Sequence, residues 1–447
     1  MRIASLVGLL GLASSALAST PFRRTPRDHN NNDYYILHLD DGVSPRHVSD
    51  RLGLEYDGQV GVLDHLHVFS APKSDSDFVS DAVRARRLKR DGEPDVLDGV
   101  RMAKKDVPRK PWSKRMIPPL PPNYESNLVP RVGGNEDEVM VTRQREVMET
   151  LGITDPIFKD QWHLINTVQA GHDINVTDVW LQGITGNGSI VAMVDDGVDM
   201  TSKDLQANYY AEGSWDFNDP GPEPRPRLSD DHHGTRCAGE IAAVRNNVCG
   251  VGVAYNAKIS GIRILSKLIT DEDEAIAMTY EYQNNDIYSC SWGPPDDGRS
   301  MDAPGIAIRQ AMLKGVQDGR GGLGSIYVFA SGNGAANEDN CNFDGYTNSI
   351  YSVTVGAVDR AGKHPYYSEH CSAQLVVTYS SGSGDAIVSP RPAIRPPSAP
   401  GILVANPPNS TPRMLAPISA IVITAGPQPL PLLLRASLRS YSKRGPT

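Results

Sequence analysis

The sequence predicts an α/β protein with a doubly wound parallel sheet, preceded by a small α+β unit. Short apolar runs recur between residues 155 and 386, and segments rich in small or amphipathic residues separate them. Strands that alternate with helices favour a parallel sheet with both faces covered. Sites in such sheets form beyond the carboxyl ends of the strands, so the residues at those ends are candidates for a functional site.

The first 18 residues have the pattern of a secretory signal peptide. Arg2 precedes the mostly apolar residues 3–12, and Ala-Leu-Ala at 16–18 fits a cleavage site of small residues. A buried N-terminal helix is the alternative interpretation. No later apolar run reaches the roughly 18 residues that a membrane span needs. A secretory route permits disulfides among the five cysteines.

The small α+β unit is predicted between residues 33 and 88. Residues 34–39 and 65–69 have the composition of strands, and residues 79–88 that of a basic helix. Lys114 and Arg115 follow, directly before a Pro-rich stretch that indicates an extended linker. An exposed Lys-Arg pair in a secreted chain is a candidate processing site, and a solvated basic linker is the alternative.

The larger α/β region has a regular order of predicted elements. Its helices are predicted at 237–244 and 273–282, and its strands at 190–194, 259–265, 287–290, 326–330 and 350–355. The pattern ends near residue 389, because residues 390–447 contain 13 prolines and no acidic residue. This composition predicts a disordered tail, and it has the look of a translation out of frame.

The net charge of −9 averages regions of different sign. Residues 19–115 carry a net charge of +2, residues 116–388 carry −19, and residues 389–447 carry +7. The acidic bulk would repel phosphate, which argues against a nucleic-acid partner. Bound cations or a cationic partner fit this charge better.

Three polar residues stand where a parallel sheet would place a site. Asp195 ends the apolar run 190–194, and Asn333 follows the run 326–330. His233 directly precedes Gly-Thr at the start of a helix of small residues, so it is preferred to His232. A carboxylate can orient a histidine base, and an amide can donate to an oxyanion. Taken singly, each has a structural alternative: a strand-end turn, a satisfied histidine or an Asn-Gly turn.

Several segments, in this order, resemble the kexin/furin branch of the subtilisin-like serine proteases. They are Val-Asp-Asp-Gly at 194–197, His-Gly-Thr-Arg-Cys-Ala-Gly-Glu at 233–240, Ser-Trp-Gly-Pro at 291–294 and Ser-Gly-Asn-Gly at 331–334. The resemblance covers roughly residues 150–388, and its details are closer to fungal kexins. It implies a subtilisin-like sheet, incomplete at its end, and a calcium-dependent endoprotease of the late Golgi that cleaves proproteins after Lys-Arg or Arg-Arg.

The resemblance also implies roles for particular residues. Asp195 would orient His233, His233 would act as general base and then acid, and Asn333 would stabilise the oxyanion. We number substrate residues P1, P2 and so on, backwards from the cleaved bond. The implied acidic pockets are Asp296 and Asp344 for a P1 arginine, Asp196, Asp230 and Asp231 for P2, and Glu274 and Asp302 near P4.

Two calcium sites and a disulfide are implied as well. Oxygen-only ligand sets suit Ca²⁺. The first set is Asp155, Asp204 and Asn246, with Asn247 as the alternative asparagine; the second is Asp296, Asp339 and Glu369. Cys341 and Cys371 would form the disulfide.

By the resemblance, residues 1–18 are a signal peptide, 19–115 a prodomain, 116–150 a linker, 151–388 the catalytic domain and 389–447 a divergent tail. The prodomain would inhibit its own protease and be cut after Lys114-Arg115. His67 lies near the position of a pH-sensing histidine. The family's Gly-Thr-Ser-Ala segment, which carries the nucleophilic serine, is absent from the 447 residues, so we expect this chain to be inactive. The alternative is a pseudoprotease or a prodomain-based inhibitor.

Overall fold

A computed structural model of the protein describes residues 27–89, 93–119, 136–382 and 387. The predicted signal peptide and the predicted tail, residues 389–447, lie outside these residues, as do residues 120–135 of the predicted linker. Within the described ranges, no helix combines the length and the apolar character needed to span a membrane.

The N-terminal unit, residues 27–106, is an antiparallel sheet with two helices on one face. Its strand order is β2–β3–β1–β4. The predicted strands 34–39 and 65–69 and the predicted helix 79–88 fall within its elements. These are β1 (Asn32–Leu39), α1 (Pro45–Leu52), β2 (Glu55–Val60), β3 (Leu63–Pro72), α2 (Phe78–Leu88) and β4 (Val100–Asp106).

The larger body contains a parallel seven-stranded sheet in the order β13–β12–β11–β9–β6–β8–β7. The predicted α/β class is therefore confirmed. The strands of this sheet are β6 (Ile190–Asp195), β7 (Trp215–Asp216), β8 (Lys258–Arg263), β9 (Ile287–Cys290), β11 (Ile326–Ala330), β12 (Ser352–Val358) and β13 (Gln374–Tyr379). The helices are α3 (Glu138–Leu151), α4 (Thr177–Leu181), α5 (His233–Ala242), α6 (Asp271–Ala277) and α7 (Ile306–Gly322). Two short strands, β5 (Ser113–Lys114) and β10 (Trp292–Gly293), pair with each other in a separate sheet.

The central strand β6 shows why the apolar runs are continuous rather than alternating. Successive side chains of a strand point to opposite faces, and here both faces are buried. Val191 and Met193 pack with α5 on one face, whereas Ala192 and Val194 pack with α6 and α7 on the other. The polar residues that end the strands therefore meet at one edge of the sheet.

The N-terminal unit shares its core with the larger body. One face of its sheet, including Tyr35 and Phe69, packs against its own helices. The opposite face, including Tyr34, Ile36 and Val68, belongs to the same hydrophobic cluster as α6 and α7. The burial of these apolar side chains therefore stabilises the docking of the N-terminal unit on the larger body.

Helix α3 lies inside the stretch predicted as a linker. The Asp137 carboxylate accepts the N–H groups of Val139 and Met140 and so caps its start. Gly152 ends it in the left-handed conformation. Val147 is fully buried in a cluster with Trp180. Residues 138–150 are therefore packed helix rather than linker.

Candidate active site

Asp195 and His233 form a buried carboxylate–imidazole pair at the edge of the sheet. Asp195 is the last residue of β6, and His233 is the first residue of α5. The Nδ1 atom of His233 lies 2.9 Å from both carboxylate oxygens of Asp195. The Nε2 atom is buried and has no hydrogen-bond partner among the described residues. It is the free basic atom of the pair.

The backbone segments around this pair lie so close together that residue 234 has no room for a side chain. A Cβ on residue 234 would lie 2.6 Å from the carbonyl oxygen of Gly197 and 2.7 Å from the Cβ of Asp195, so only glycine fits. The Asp196 carboxylate accepts the N–H groups of residues 232–234 at 2.8–3.1 Å. This caps the start of α5 and fixes the histidine beside the strand end.

The charges around His233 favour a proton on its ring. Burial lowers the pKa of His233, but the carboxylate of Asp195 and its hydrogen bond outweigh burial, so the pKa is raised above the ordinary value. A proton taken up at Nε2 is therefore stabilised. This is the property required of a general base that later returns its proton.

Asn333 lies near this edge in the segment after β11. Its backbone N–H donates to Asp296 Oδ2 at 2.8 Å, which holds the residue in place. Its side-chain Nδ2 is buried without an acceptor in the described part of the chain. A preorganised amide donor without an acceptor can stabilise a developing oxyanion.

Arg115 is buried in an acidic pocket. Its Nη2 atom lies 2.5 Å from Asp344 Oδ2, and its Nε atom lies 3.5 Å from Asp296 Oδ1. Its Nη1 atom donates to the carbonyl oxygen of Ala330. A Cβ on residue 293 would come within 2.3 Å of Nη2, so Gly293 makes room for the guanidinium.

Lys114 occupies a neighbouring pocket. Its Nζ lies 2.9 Å from Asp196 Oδ2, 3.6 Å from Asp230 Oδ2 and 3.7 Å from Asp231 Oδ1. The strand β5 that carries it pairs antiparallel with β10. The Arg115 N–H extends this pairing by donating to the Ser291 carbonyl oxygen at 2.9 Å. The Ser-Trp-Gly segment thus holds residues 113–115 as an extended strand.

The acids of the Lys114 pocket already have internal partners. Asp231 Oδ2 lies 3.0 Å from Arg263 and accepts the N–H groups of residues 227 and 228. Although burial opposes it, these donors lower the pKa of Asp231. Burial and the neighbouring Asp195 instead raise the pKa of Asp196 to about 6.

Glu274 and Asp302 have different surroundings. Glu274 is fully buried and accepts hydrogen bonds from Tyr346, Trp112 and Arg109. Asp302 is exposed, and its carboxylate accepts the N–H of Ala303. The structure therefore brings Glu274, but not Asp302, into contact with the segment that precedes Lys114.

Two groups of oxygen ligands could hold a divalent cation. Carboxylate oxygens of Asp296, Asp339 and Glu369 lie within 4.8 Å of one another. Burial and the Asp296 carboxylate raise the pKa of Glu369 to about 8. Crowded carboxylates with a raised pKa are what a bound cation would stabilise, so these residues fit Ca²⁺.

The second group contains Asp155, Asp204 and Asn246, whose Oδ1 accepts the N–H of Val248 while its N–H groups face the two carboxylates. The Asn246 N–H donates to both oxygens of Asp155 at 3.1 Å, and Asn246 Nδ2 lies 3.0 Å from Asp204 Oδ1. Burial raises the pKa of Asp155 to about 6. Asn246 therefore lies between the two carboxylates, and the choice of asparagine as a metal ligand stays a prediction.

The cysteines include one disulfide and one thiol at the site. Cys341 and Cys371 are joined, with Cα atoms 5.4 Å apart. Cys237 is buried on α5, and its thiol donates to the His233 carbonyl oxygen at 3.0 Å. Burial raises the pKa of Cys237, so this thiol is a poor nucleophile.

Sequence reasoning missed the contacts that join the N-terminal unit to α6. Asp106 accepts the N–H groups of Asp271 and Glu272, which start this helix. Lys104 pairs with Asp271, and Arg27 lies 2.8 Å from Glu272. The sequence signal for these contacts was the run Asp-Glu-Asp-Glu at 271–274. Without the fold, this run resembles the solvent-exposed first turn of a helix.

Residues 186–401 match the subtilase family model. These residues form a subtilase domain, and the similarity to kexins predicted from the motifs is confirmed. It is 46% identical over 406 residues to a kexin of Candida albicans (strain WO-1), covering 87% of this chain and 43% of the kexin. It is 56% identical over 272 residues to a dibasic-processing endoprotease of Yarrowia lipolytica, covering 61% of this chain and 28% of that protein.

The chain thus spans less than half the length of these curated relatives. Among solved structures, fervidolysin from Fervidobacterium pennivorans, a keratinolytic enzyme related to subtilisin, matches with a TM-score of 0.54 at 16% identity. That match covers 94% of this chain and 56% of fervidolysin. At this identity it supports the fold alone.

Proposed function

We propose that this protein is a calcium-dependent serine endoprotease of the secretory pathway that cleaves proproteins after Lys-Arg or Arg-Arg. The observation that carries the proposal is the position of Lys114 and Arg115. Both side chains lie in acidic pockets at the sheet edge that holds Asp195 and His233. The relatives described as kexin and dibasic-processing endoprotease support the same class of substrate.

The proposed roles follow from the geometry. Asp195 orients the ring of His233, whose Nε2 accepts the proton of the nucleophile and then returns it to the leaving amine. Asn333 Nδ2 donates to the oxyanion. Asp344 and Asp296 bind the P1 arginine, while Asp196, Asp230 and Asp231 bind the P2 residue.

Calcium enters this proposal as a stabilising charge. Asp155, Asp204 and Asn246 would hold one ion, and Asp296, Asp339 and Glu369 would hold another. Bound Ca²⁺ supplies positive charge that keeps these carboxylates ionised and in place. Because Asp296 also faces Arg115, the second ion would affect the shape of the P1 pocket.

Residues 19–115 would act as a prodomain, and the described part of it would occupy the cleft in the manner of a substrate. The apolar contacts with α6 and α7 and the buried pair of basic side chains both support this role. The signal peptide and the late Golgi location proposed from the family fit a protease that matures along the secretory route.

The 447 residues contain no Gly-Thr-Ser-Ala segment, so we infer that this chain by itself does not hydrolyse peptides. Removing the serine of such a triad costs about 10⁶ in rate. The formed acidic pockets favour a second candidate function, a non-catalytic protein that binds dibasic peptides.

The test uses a cleft-open variant of the full chain: Arg109→Ala, Trp112→Ala, Lys114→Ala and Arg115→Ala. A fluorescein-labelled peptide Arg-Lys-Pro-Trp-Ser-Lys-Arg, with the sequence of residues 109–115, is titrated in calcium buffer and its anisotropy is followed. We expect saturable binding to this variant and much weaker binding to the unaltered chain. Replacing the final Lys-Arg by Ala-Ala should weaken binding about 100-fold or more.

Equal binding of the Lys-Arg and Ala-Ala peptides would contradict the dibasic specificity. In parallel, the unaltered chain is incubated with a fluorogenic Lys-Arg amide. We expect no hydrolysis above the rate without protein. Hydrolysis that disappears in His233→Ala would show that the chain is active despite the missing segment.

A further inference from the structure

Glu274 is a buried carboxylate whose hydrogen-bond donors come largely from the basic segment, residues 109–115. Its side chain is fully buried. Oε1 accepts the hydroxyl of Tyr346, which is the donor supplied by the larger body. Oε2 accepts Trp112 Nε1 at 2.9 Å and also Nη2 of Arg109. The basic segment thus supplies an indole N–H donor and the cation that neutralises this carboxylate.

A backbone pairing places Arg109, the first residue of the basic segment, beside Glu274. The N–H and carbonyl oxygen of Arg109 bond to the backbone of Ile269, each at 2.9 Å. The guanidinium carbon lies 4.1 Å from the centre of the Trp112 ring. Trp112 in turn packs edge-on against Tyr346, with ring centroids 5.5 Å apart. The indole lies between the arginine and the tyrosine.

The other acidic residues near Arg109 do not account for its position beside Glu274. The nearest competing carboxylate for Arg109 is Asp271, at 3.7 Å, and Asp271 is paired with Lys104 of β4. Burial raises the pKa of Glu274, while Arg109 and its hydrogen-bond donors act against this rise. A buried carboxylate that loses charged and neutral donors suffers a large desolvation cost.

We propose that Glu274 reads an arginine at P7, six residues before the P1 arginine, together with a tryptophan at P4. The preferred ligands are then basic peptides of the pattern Arg-x-x-Trp-x-Lys-Arg. The indole N–H at P4 bonds the carboxylate, and the P7 guanidinium stacks on the indole and completes the ion pair. This inference rests on the proposed function, because it extends the same cleft beyond the two acidic pockets that hold Lys114 and Arg115.

The test uses the cleft-open variant and the labelled peptide defined above. Replacing the first arginine by alanine should weaken binding about tenfold or more, the loss typical of a hydrogen bond to a buried charge. Replacing tryptophan by phenylalanine should weaken it by a smaller factor, because the ring remains but its donor is lost. Replacing tryptophan by alanine should cost at least as much as losing the arginine.

A matched variant assigns the effect to Glu274. In the cleft-open variant with Glu274→Gln, replacing the first arginine should change binding less than twofold, while the preference for Lys-Arg over Ala-Ala persists. If the first arginine still contributes tenfold after Glu274→Gln, or contributes nothing while Glu274 is present, the inference is wrong. If the Lys-Arg preference itself is absent, the proposed function fails instead. Thermal melting of each variant checks that it is folded.

Discussion

The pockets of Arg115 and Lys114 lie side by side but are built differently. The Arg115 side chain is 1% exposed and faces Asp296 and Asp344. The Lys114 side chain is 15% exposed, and the acids near it include Asp231, which Arg263 already neutralises. Among the described side chains, Arg115 itself supplies the positive charge of the first pocket, whereas the second pocket also contains Arg263.

This difference predicts how strongly each pocket selects the side chain that it binds. An acidic pocket without an internal cation pays a large desolvation cost when it is empty or holds a neutral residue. A pocket whose carboxylates are held by an arginine and by backbone N–H groups remains ordered without a guest. We therefore expect strict selection at P1 and weaker selection at P2.

The largest effect is expected when the two basic residues are replaced one at a time. Arg115→Ala leaves buried acids unpaired and should speed hydrogen exchange in residues 111–117 by about 10²- to 10³-fold. Lys114→Ala should speed it by about tenfold or less. Mass-spectrometric hydrogen exchange on the full chain measures both, and equal effects would remove the distinction between the pockets.

Bound Ca²⁺ should stabilise mainly the Arg115 pocket rather than the Lys114 pocket. Without metal, the raised pKa of Glu369, about 8, means that the folded chain keeps a proton that the unfolded chain loses. The free energy of unfolding should therefore fall as pH rises from about 4.5 to 8. Added Ca²⁺ should raise the melting temperature by several degrees, and more at pH 8 than at pH 6.

The matched control for calcium is Asp339→Asn, because Asp339 belongs to the ligand group without pairing with Arg115. Differential scanning fluorimetry with Ca²⁺ and with a chelator compares this variant with the unaltered chain. A calcium shift that is undiminished in the variant would exclude this group as the site.

A smaller effect is expected from His67, which belongs to the N-terminal unit. His67 lies on β3, with Nδ1 3.0 Å from the hydroxyl of Tyr56, and burial lowers its pKa. The unfolded unit then binds the proton more readily, so the unit loses stability as pH falls below about 6.5. His67→Leu should reduce the acid-induced opening of β3 in hydrogen exchange between about pH 7.5 and 5.5, and unchanged opening would refute a role for this histidine.

Asp302→Ala should have the smallest effect. Its carboxylate is exposed and bonds its neighbour's N–H, so binding of the labelled peptide to the cleft-open variant should change less than twofold. Glu274→Ala in the same assay provides the contrast. A loss at Asp302 equal to that at Glu274 would mean that both acids bind the peptide.

The sequence predicted local features well. Apolar runs located β6, β9 and β11, because strands buried on both faces are mostly apolar rather than alternating. Their polar ends pointed to Asp195 and Asn333. The contacts of Glu274 with Arg109 and Trp112 could not be predicted, because they join residues more than 160 positions apart. Helix α3 was missed because its buried face is narrow and includes the polar residue Gln144, so few strongly apolar positions mark it.

The bond after Arg115 is anchored on both sides. Before it, the basic segment and the sheet of the N-terminal unit are docked. After it, Ile117 is buried with residues of β6 and α5, and Tyr366 donates to the Pro118 carbonyl oxygen. A nick at this bond removes one covalent link and none of these contacts. The two fragments should therefore elute together from a sizing column and separate only in denaturant.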